Sequence, residues 1–359
     1  MKEMQANMTM NKTVNGGQPV TFLYCFNPLA RRIGETIVCC LLLVISLVGN
    51  TLIGIVVYRT RSLRKPINFF IVNMAMSDLI YSLFLFTPYI TQLHLGWSIR
   101  GRLGEALCKM TTFLADVSTG VSIQNLVLVA VDRFGAVIIP LRSPLIRRKL
   151  SYFLIFASWI VAMAVHLPFF LTFTVVEYSG GAQCQRQWSE VFGDSTSFKH
   201  YILTLSILVF YIPLLSIAIL YIAIFLILKS QKTPGEQSHN LRKNRERRKR
   251  NVLKMSIAIV FAFAICWLPF TSSQIGYLFL ADRALISSCG YNIFRIVAYF
   301  LAVSYCAINP CICFIFNGNY RQGLKKLLGG SIFWYQGRSR PIRPVVVLRT
   351  QLTCEVSCR

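Results

Sequence analysis

The sequence predicts an all-α membrane protein, a seven-transmembrane helix bundle with a short amphipathic eighth helix. Two observations predict this fold. Of the 359 residues, 55% are hydrophobic and only 14% are charged, whereas soluble domains carry about 25% charged residues. The apolar residues also come in seven blocks, each long enough for an α-helix to cross a hydrocarbon core of about 30 Å. These blocks lie at residues 33–58, 67–93, 105–138, 150–173, 198–229, 250–280 and 290–316.

The first 32 residues are polar and lack the apolar core of a cleavable signal peptide. Asn7 and Asn11 each begin a tripeptide that fits the N-glycosylation acceptor pattern. We therefore expect an extracellular N-terminal tail over residues 1–32, followed by the membrane domain over residues 33–316.

Basic residues between the blocks predict how the chain is oriented in the membrane. The net charge is +25, and in a soluble chain this would suggest nucleic-acid binding. Here the charge is concentrated in segments 59–65, 142–149 and 242–254, which the positive-inside rule places in the cytoplasm. Arg31 and Arg32 oppose this trend, but the other loops outweigh them. The prediction is a plasma-membrane protein with a cytoplasmic C-terminus; segment 242–254 would contact anionic lipid or a cytoplasmic partner.

The third block, from Cys108 to Arg133, organises the chain. As an α-helix it would be about 38 Å long, so its two ends must lie at opposite membrane surfaces. Most of the twelve cysteines lie inside apolar runs and act as small hydrophobes. Four cysteines fall at predicted exterior positions: Cys25, Cys108, Cys184 and Cys289.

Polar residues inside the spans indicate function, because an ionisable group at membrane depth is costly. Asp78 lies in the middle of the second span and is the clearest candidate. Asn50 and Asn309 lie at comparable depths, although simple hydrogen bonding between helices explains them equally well. Asp116 lies two turns from Cys108, near the floor of a predicted exterior cavity.

Five prolines fall within five different spans and should kink their helices around internal cavities. They are Pro88, Pro168, Pro213, Pro269 and Pro310.

The residues after the last span alternate apolar and basic side chains at helical spacing. Residues 317–328 therefore predict an amphipathic helix along the inner membrane surface. Residues 329–359 form a basic cytoplasmic tail, expected to lack fixed structure.

A set of motifs resembles the rhodopsin-like (class A) G-protein-coupled receptors over about residues 33–328. Each motif could arise by chance, but the ordered set, with every motif in its proper span, is specific. The motifs are Gly49-Asn50, 73–78 (NMAMSD), Cys108, Asp132-Arg133-Phe134, Trp159, Pro213, Tyr221, 266–269 (CWLP) and 309–313 (NPCIC).

The resemblance implies an exterior disulfide between Cys108 and Cys184, which ties the second exterior loop over the cavity. A second bridge between Cys25 and Cys289 would match some peptide and chemokine receptors. Trp267, above the Pro269 kink, would link ligand binding to helix movement.

The resemblance also implies roles for residues near the cytoplasmic end and in the bundle interior. Asp132 would restrain Arg133 in the resting state, and on activation Arg133 and Tyr221 would form the G-protein pocket. Asp78 would form a polar, sodium-binding site with Ser122 and Asn309, next to Pro310 of the seventh-span motif.

Several residues depart from the family pattern. Cys313 replaces a tyrosine that contacts Tyr221 through water, and Lys249 replaces an acid that pairs with the arginine in some members. Tyr305 and Cys306 replace polar residues that usually precede Asn309, which argues against sodium binding. An altered activation mechanism is therefore expected.

The ligand class follows from what the predicted cavity contains. Val303 stands where opsins carry the retinal lysine, and Ala115 stands where amine receptors carry an aspartate. The ligand-binding candidates combine charged, amide and aromatic side chains. They are Asp116, His166, Gln274, Tyr277, Arg295 and Tyr299.

This combination suits a peptide with an amidated or aromatic end, and the long loop over residues 177–200 suits a peptide receptor with a lid. The predicted function is therefore a neuropeptide receptor that activates a heterotrimeric G protein, with arrestin and membrane lipids as further partners. No cofactor, enzyme activity or nucleic acid is expected.

The alternatives are a receptor for a small amine or lipid, a non-coupling decoy receptor, and a transporter or channel, which would need a polar path through the spans. A membrane enzyme is disfavoured because the four histidines are scattered, without zinc-ligand spacing.

Overall fold

The computed structural model describes residues 27–138, 146–178, 181–230, 239–279 and 288–336. Within these residues, seven segments are long and apolar enough to cross a membrane, which confirms the predicted fold class. The seven spanning helices, numbered here in chain order, are Pro28–Arg59, Pro66–His94, Gly101–Ile138, Arg148–Thr172, Thr196–Lys229, Leu253–Phe279 and Cys289–Phe316.

The first spanning helix begins at Pro28, earlier than the predicted start of the span at residue 33. The side chain of Asn27 accepts a hydrogen bond from the backbone N–H of Leu29 at 2.9 Å. A proline at the first helical position already has a helical φ, and the N–H that it lacks would have no partner within the helix. Because the cap lies at the end of the polar tail, hydropathy alone could not locate it.

The third spanning helix, Gly101–Ile138, has buried residues from Gly104 to Gly135 and lies in the interior of the bundle between them. Buried side chains recur from its start to its end, including Cys108, Ser118, Asn125 and Asp132. At 38 residues it is about 57 Å long and exceeds the hydrocarbon core on both sides. It therefore connects the two ends of the bundle, as the sequence predicts.

The fifth spanning segment widens just before its proline. Residues Ser206–Tyr211 form a π-helical turn between the α-helices Ser195–Leu205 and Ile212–Ser230, and the N–H of Ile212 bonds to the carbonyl of Ile207. Pro213 has no N–H, and its ring would clash with a carbonyl of the preceding turn in a regular α-helix. The π turn relieves this conflict. The other four prolines lie inside continuous helices.

A β-hairpin follows the fourth spanning helix. Strands Phe173–Tyr178 and Gly181–Arg186 pair antiparallel, with Val175 opposite Cys184. A disulfide joins Cys184 to Cys108 with a Cα–Cα distance of 5.5 Å, which confirms the bridge that the resemblance implies. The hairpin is thereby fixed to the third helix.

Glu105 adds a second anchor for the hairpin. Its carboxylate accepts hydrogen bonds from the backbone N–H of Val175 at 2.9 Å and the hydroxyl of Thr174 at 3.0 Å. Cys289, at the start of the seventh helix, is also disulfide-bonded. Its predicted partner Cys25 and the glycosylation candidates Asn7 and Asn11 lie outside the described residues.

Large apolar side chains cover the outside of the bundle, including Leu41, Phe156, Leu215 and Phe261, each more than half exposed. Such a surface is untenable in water but is what lipid-facing helices require. The chain is therefore a multi-pass membrane protein.

The eighth helix, Gly318–Gln336, packs back onto the first two spanning helices. The hydroxyl of Tyr320 donates to Asn68 Oδ1 at 3.1 Å. Burial raises the pKa of Tyr320 well above its usual value, so the phenol remains a hydrogen-bond donor at physiological pH. The helix is longer than the predicted segment 317–328.

Candidate functional site

A cavity of about 340 Å³ opens at the end of the bundle that carries the hairpin. We call it the hairpin-side cavity. All six ligand-binding candidates from the sequence line it: Asp116, His166, Gln274, Tyr277, Arg295 and Tyr299. Its volume lies at the lower end of the range of small-molecule and cofactor pockets, so it can enclose a few side chains of a ligand. The helices thus bring together residues that are far apart in sequence.

Two lining residues of opposite charge have no ion pair among the described residues. Arg295 is only 7% exposed, and its guanidinium lies 4.1 Å from the ring centre of Tyr277 and 5.9 Å from that of Tyr291. Aromatic faces attract the cation but do not neutralise it. Asp116 lies on the third helix without a salt bridge. Arg295 and Asp116 therefore place a cation and an anion in the cavity wall, where an incoming ligand can contact both.

His166 contributes mainly to the packing of the cavity wall. It is buried, donates from Nδ1 to the carbonyl of Ala162 at 2.8 Å and stacks on Phe169. Its ring lies against Gly120, where an added Cβ would approach within 2.9 Å. Part of its hydrogen-bonding capacity is thus used within its own helix.

A further acidic residue lines the cavity and was missed by the sequence reasoning. Glu35 of the first helix accepts hydrogen bonds from Arg31 Nε at 2.6 Å and from the hydroxyl of Tyr89 at 2.9 Å. All three residues line the hairpin-side cavity. Glu35 is the sole acidic residue of the first apolar block, and this was the one sequence signal that pointed to it.

Trp267 forms the wall between the hairpin-side cavity and a small cavity deeper in the bundle, and lines both. Its ring contacts Phe270 on the cavity side and Phe263 on the deeper side, at centroid distances of 5.9 and 6.0 Å. Phe263 in turn meets Tyr305 edge-on at 5.0 Å. A change in the Trp267 rotamer would therefore disturb both cavities.

Beneath Trp267, Asp78 is the centre of a buried polar cluster. Its Oδ2 accepts from the amide of Asn309 at 2.8 Å, and its Oδ1 accepts from Ser122 at 3.4 Å. Asn50 donates to the carbonyl of Cys306 at 3.0 Å. The residues that the resemblance assigns to the polar core therefore lie together, joining the first, second, third and seventh helices.

The sodium ion that the resemblance implies does not fit this cluster. Both carboxylate oxygens of Asp78 are already hydrogen-bonded. The adjoining cavity measures about 10 Å³, and Tyr305 and Cys306 line it where the family usually carries other polar residues. This is space for about one water molecule, too little for an ion together with waters that would complete its coordination. Tyr305 directs its hydroxyl to the sulfur of Met74 instead.

At the opposite end of the bundle, the Arg133 guanidinium forms an ion pair with Asp132. Both side chains are largely buried at the end of the third helix. Tyr221 lies on the fifth segment and is half-buried, while Cys313 is fully buried in the main apolar core. The intrahelical restraint on Arg133 is therefore present, and the side chain of Lys249 lies outside the described part of the chain.

Three helices are also tied together beside this region. Trp159 Nε1 donates to Asn73 Oδ1 at 2.9 Å, and Asn73 Nδ2 donates to Asn125 Oδ1 at 3.1 Å. These two hydrogen bonds join the second, third and fourth helices, and both involve Asn73, which belongs to one of the sequence motifs. Among the described residues, no group of three or more His, Cys, Asp or Glu side chains could hold a metal ion.

Comparison with known proteins agrees with this geometry. The family described as 7 transmembrane receptor (rhodopsin family) matches residues 49–312. The RYamide receptor of Drosophila melanogaster is 29% identical over 79% of this chain and 61% of its own length. The QRFP-like peptide receptor of Branchiostoma floridae is 27% identical over 90% of this chain and 85% of its own.

Neuropeptide FF receptor 1 of Rattus norvegicus is 27% identical over 82% of this chain and 70% of its own length. For several of the relatives matched, including the RYamide receptor, the chain spans only about three-fifths of their length. Because the family match covers most of the chain and all seven spanning helices are present, the protein belongs to the rhodopsin family of seven-transmembrane receptors.

Proposed function

We propose that this protein is a plasma-membrane receptor that binds an extracellular peptide in the hairpin-side cavity and activates a heterotrimeric G protein at its Arg133 end. Arrestin would bind the same end after activation. The proposal assigns ligand binding to one end of the third helix and coupling to the other.

The position of Trp267 carries this proposal. Its side chain lines both the hairpin-side cavity and the small cavity beside Asp78, and a ligand that contacts it would also perturb the packing of Phe263 and Tyr305. Tightly packed interiors respond to such shifts by changing between discrete arrangements. The proline-containing sixth helix is the element that would move.

The charges and the disulfide support an orientation with the hairpin outside. The disulfide between Cys108 and Cys184 requires an oxidising compartment. The basic segments 59–65 and 242–254 are joined to the other end of the bundle, which the positive-inside rule assigns to the cytoplasm. In this orientation, the eighth helix lies at the cytoplasmic surface.

The cavity chemistry supports a peptide with an amidated aromatic end. Arg295 and Tyr277 offer a cation and an aromatic face, and Gln274 offers both a donor and an acceptor for an amide. Asp116 offers a partner for a basic group. The relatives reported above are named as receptors for RYamide, QRFP-like peptides and neuropeptide FF, which favours the same ligand class.

The test is a screen of C-terminally amidated peptides against cells that express the chain, with calcium and cyclic AMP as readouts and surface display verified. We expect at least one peptide to signal, and its free-acid form to be weaker. Silence of every peptide at verified surface display would contradict the peptide-receptor proposal. Binding of a peptide without any signal would instead favour the decoy receptor, for which the replacement of the family tyrosine by Cys313 is the motivating observation.

A further inference from the structure

Glu35 is an acidic side chain in an unusual place. It lies on the first spanning helix, is 5% exposed and lines the hairpin-side cavity. Other residues on this helix, such as Leu41 and Val48, point toward lipid. A buried carboxylate is costly unless it has partners, so its partners indicate what the position is built to hold.

The two partners of Glu35 differ in origin. Tyr89 comes from the second helix and donates its hydroxyl to Oε2 at 2.9 Å, so it holds the carboxylate across a helix–helix contact. Arg31 comes from the same helix, one turn away, and contacts Oε1 at 2.6 Å while remaining 26% exposed. The Arg31 contact therefore joins no two helices.

Glu35 is also connected to the proposed switch residue. The ring of Tyr89 lies 5.9 Å from that of Tyr299, which lies 6.1 Å from Phe270. Phe270 contacts Trp267 at 5.9 Å. Tyr89, which bonds to Glu35, is therefore the first of four aromatic side chains in contact that end at Trp267.

We propose that Glu35 is a second recognition site for the ligand, one that takes a guanidinium or ammonium group, and that Arg31 occupies this site while the cavity is empty. A ligand arginine presents the same chemical group as Arg31 and can form the same charge-assisted contact. An ionised carboxylate has about four acceptor sites, so Tyr89 can keep its hydrogen bond during the exchange. The inference rests on the proposed binding of a peptide in this cavity.

This exchange predicts competition between Arg31 and the ligand. The probe is acetyl-arginyl-phenylalaninamide, which carries a single positive charge, and its control is the citrulline analogue, which has nearly the same shape without the charge. Binding is measured as the thermal shift of purified receptor in phospholipid nanodiscs over a series of probe concentrations. No G protein or signalling is needed, so failure of this test is distinguishable from failure of the peptide screen.

Arg31→Gln should lower the half-saturating concentration of the arginine probe about tenfold, the equivalent of one charge-assisted hydrogen bond. The citrulline probe should be unaffected. The gain should disappear in the double variant R31Q/E35Q. Arg32→Gln is the matched control, because this substitution removes the same charge from the neighbouring, exposed position. It should leave both probes unchanged.

Several results would overturn the proposal. These are no gain in R31Q, an equal gain for the citrulline probe, an equal gain in R32Q, or a gain that persists in R31Q/E35Q. The lack of any thermal shift with the arginine probe in wild type and R31Q would also overturn it. If the double variant R31Q/E35Q fails to fold, R31Q/Y89F replaces it. Removing the Tyr89 hydroxyl that orients Glu35 should reduce the gain in affinity for the arginine probe.

Discussion

The side-chain amide of Asn309 donates a hydrogen bond to Oδ2 of Asp78 at 2.8 Å, joining the seventh helix to the second in the bundle interior. Ser122 of the third helix donates to the other carboxylate oxygen. Asp78 is 4% exposed and Asn309 1%, so water does not substitute for either partner. The carboxylate on the second helix thus accepts hydrogen bonds from the third and seventh helices.

Asp78→Ala should destabilise the receptor, because it leaves the amide donor of Asn309 without its acceptor, whereas Ser122 can still bond to Ser77. A buried donor left unpaired costs about 1–3 kcal/mol. Asp78→Asn keeps a carbonyl acceptor and removes a buried charge, so it should melt at or above the wild-type temperature. The measurement is the apparent melting temperature of purified protein. If the alanine and asparagine variants melt together, Asp78 is not the acceptor that holds these helices.

Gly49→Ala should weaken the contact between the first and seventh helices. A Cβ at this position would lie 2.6 Å from Cγ of Pro310, a ring that cannot rotate away. Overpacking of this kind costs about 1–3 kcal/mol. Gly54→Ala on the same helix is the matched control, since nothing lies within 4 Å of its added Cβ and alanine favours the helix. Equal melting temperatures for the two variants would contradict the close contact.

Cys108→Ser and Cys184→Ser should impair surface display and stability to the same extent, and the double variant no further. The bridge joins positions separated by 76 residues, and loss of such a link costs about 2–5 kcal/mol. Cys40→Ser, at an exposed free cysteine, controls for loss of a thiol. Surface immunostaining of intact cells is the readout. A large disparity between the two bridge variants would show that the cysteines act separately.

Sodium should have no specific effect on this receptor. The space beside Asp78 is about 10 Å³, and Tyr305 and Cys306 form part of its wall. The apparent melting temperature should therefore be the same in sodium, potassium and choline chloride at about 150 mM, where screening is equal. A higher melting temperature in sodium chloride than in potassium chloride would show that the polar cluster opens to admit the sodium ion.

The seven spans and the residues of the polar core could be predicted from the sequence for physical reasons. A bilayer demands about 20 consecutive apolar residues per helix, so the blocks are visible without knowledge of the packing. Asp78 and Asn309 interrupt such blocks at similar depth, and polar groups in lipid must seek each other. The hydrogen bond between them follows from the same constraint.

Other features depend on three-dimensional contacts that hydropathy does not encode. The π turn before Pro213 is a response of the backbone to the proline ring, and the sequence indicates only that a distortion is needed. Glu35 was missed because it lies two residues inside the predicted start of the first span, where a charge can reach water. Its burial by Arg31 and Tyr89 becomes evident only when the second helix is in place.

Nucleotide exchange on purified heterotrimeric G proteins tests the central claim most directly, with the receptor in nanodiscs and an amidated peptide from the screen as agonist. The wild-type receptor should accelerate exchange when the peptide is added. Arg133→Ala should bind the peptide with unchanged affinity but fail to accelerate exchange, because Arg133 lies at the opposite end of the bundle from the hairpin-side cavity and is held there by Asp132. Peptide-stimulated exchange by Arg133→Ala at the wild-type rate would contradict the account.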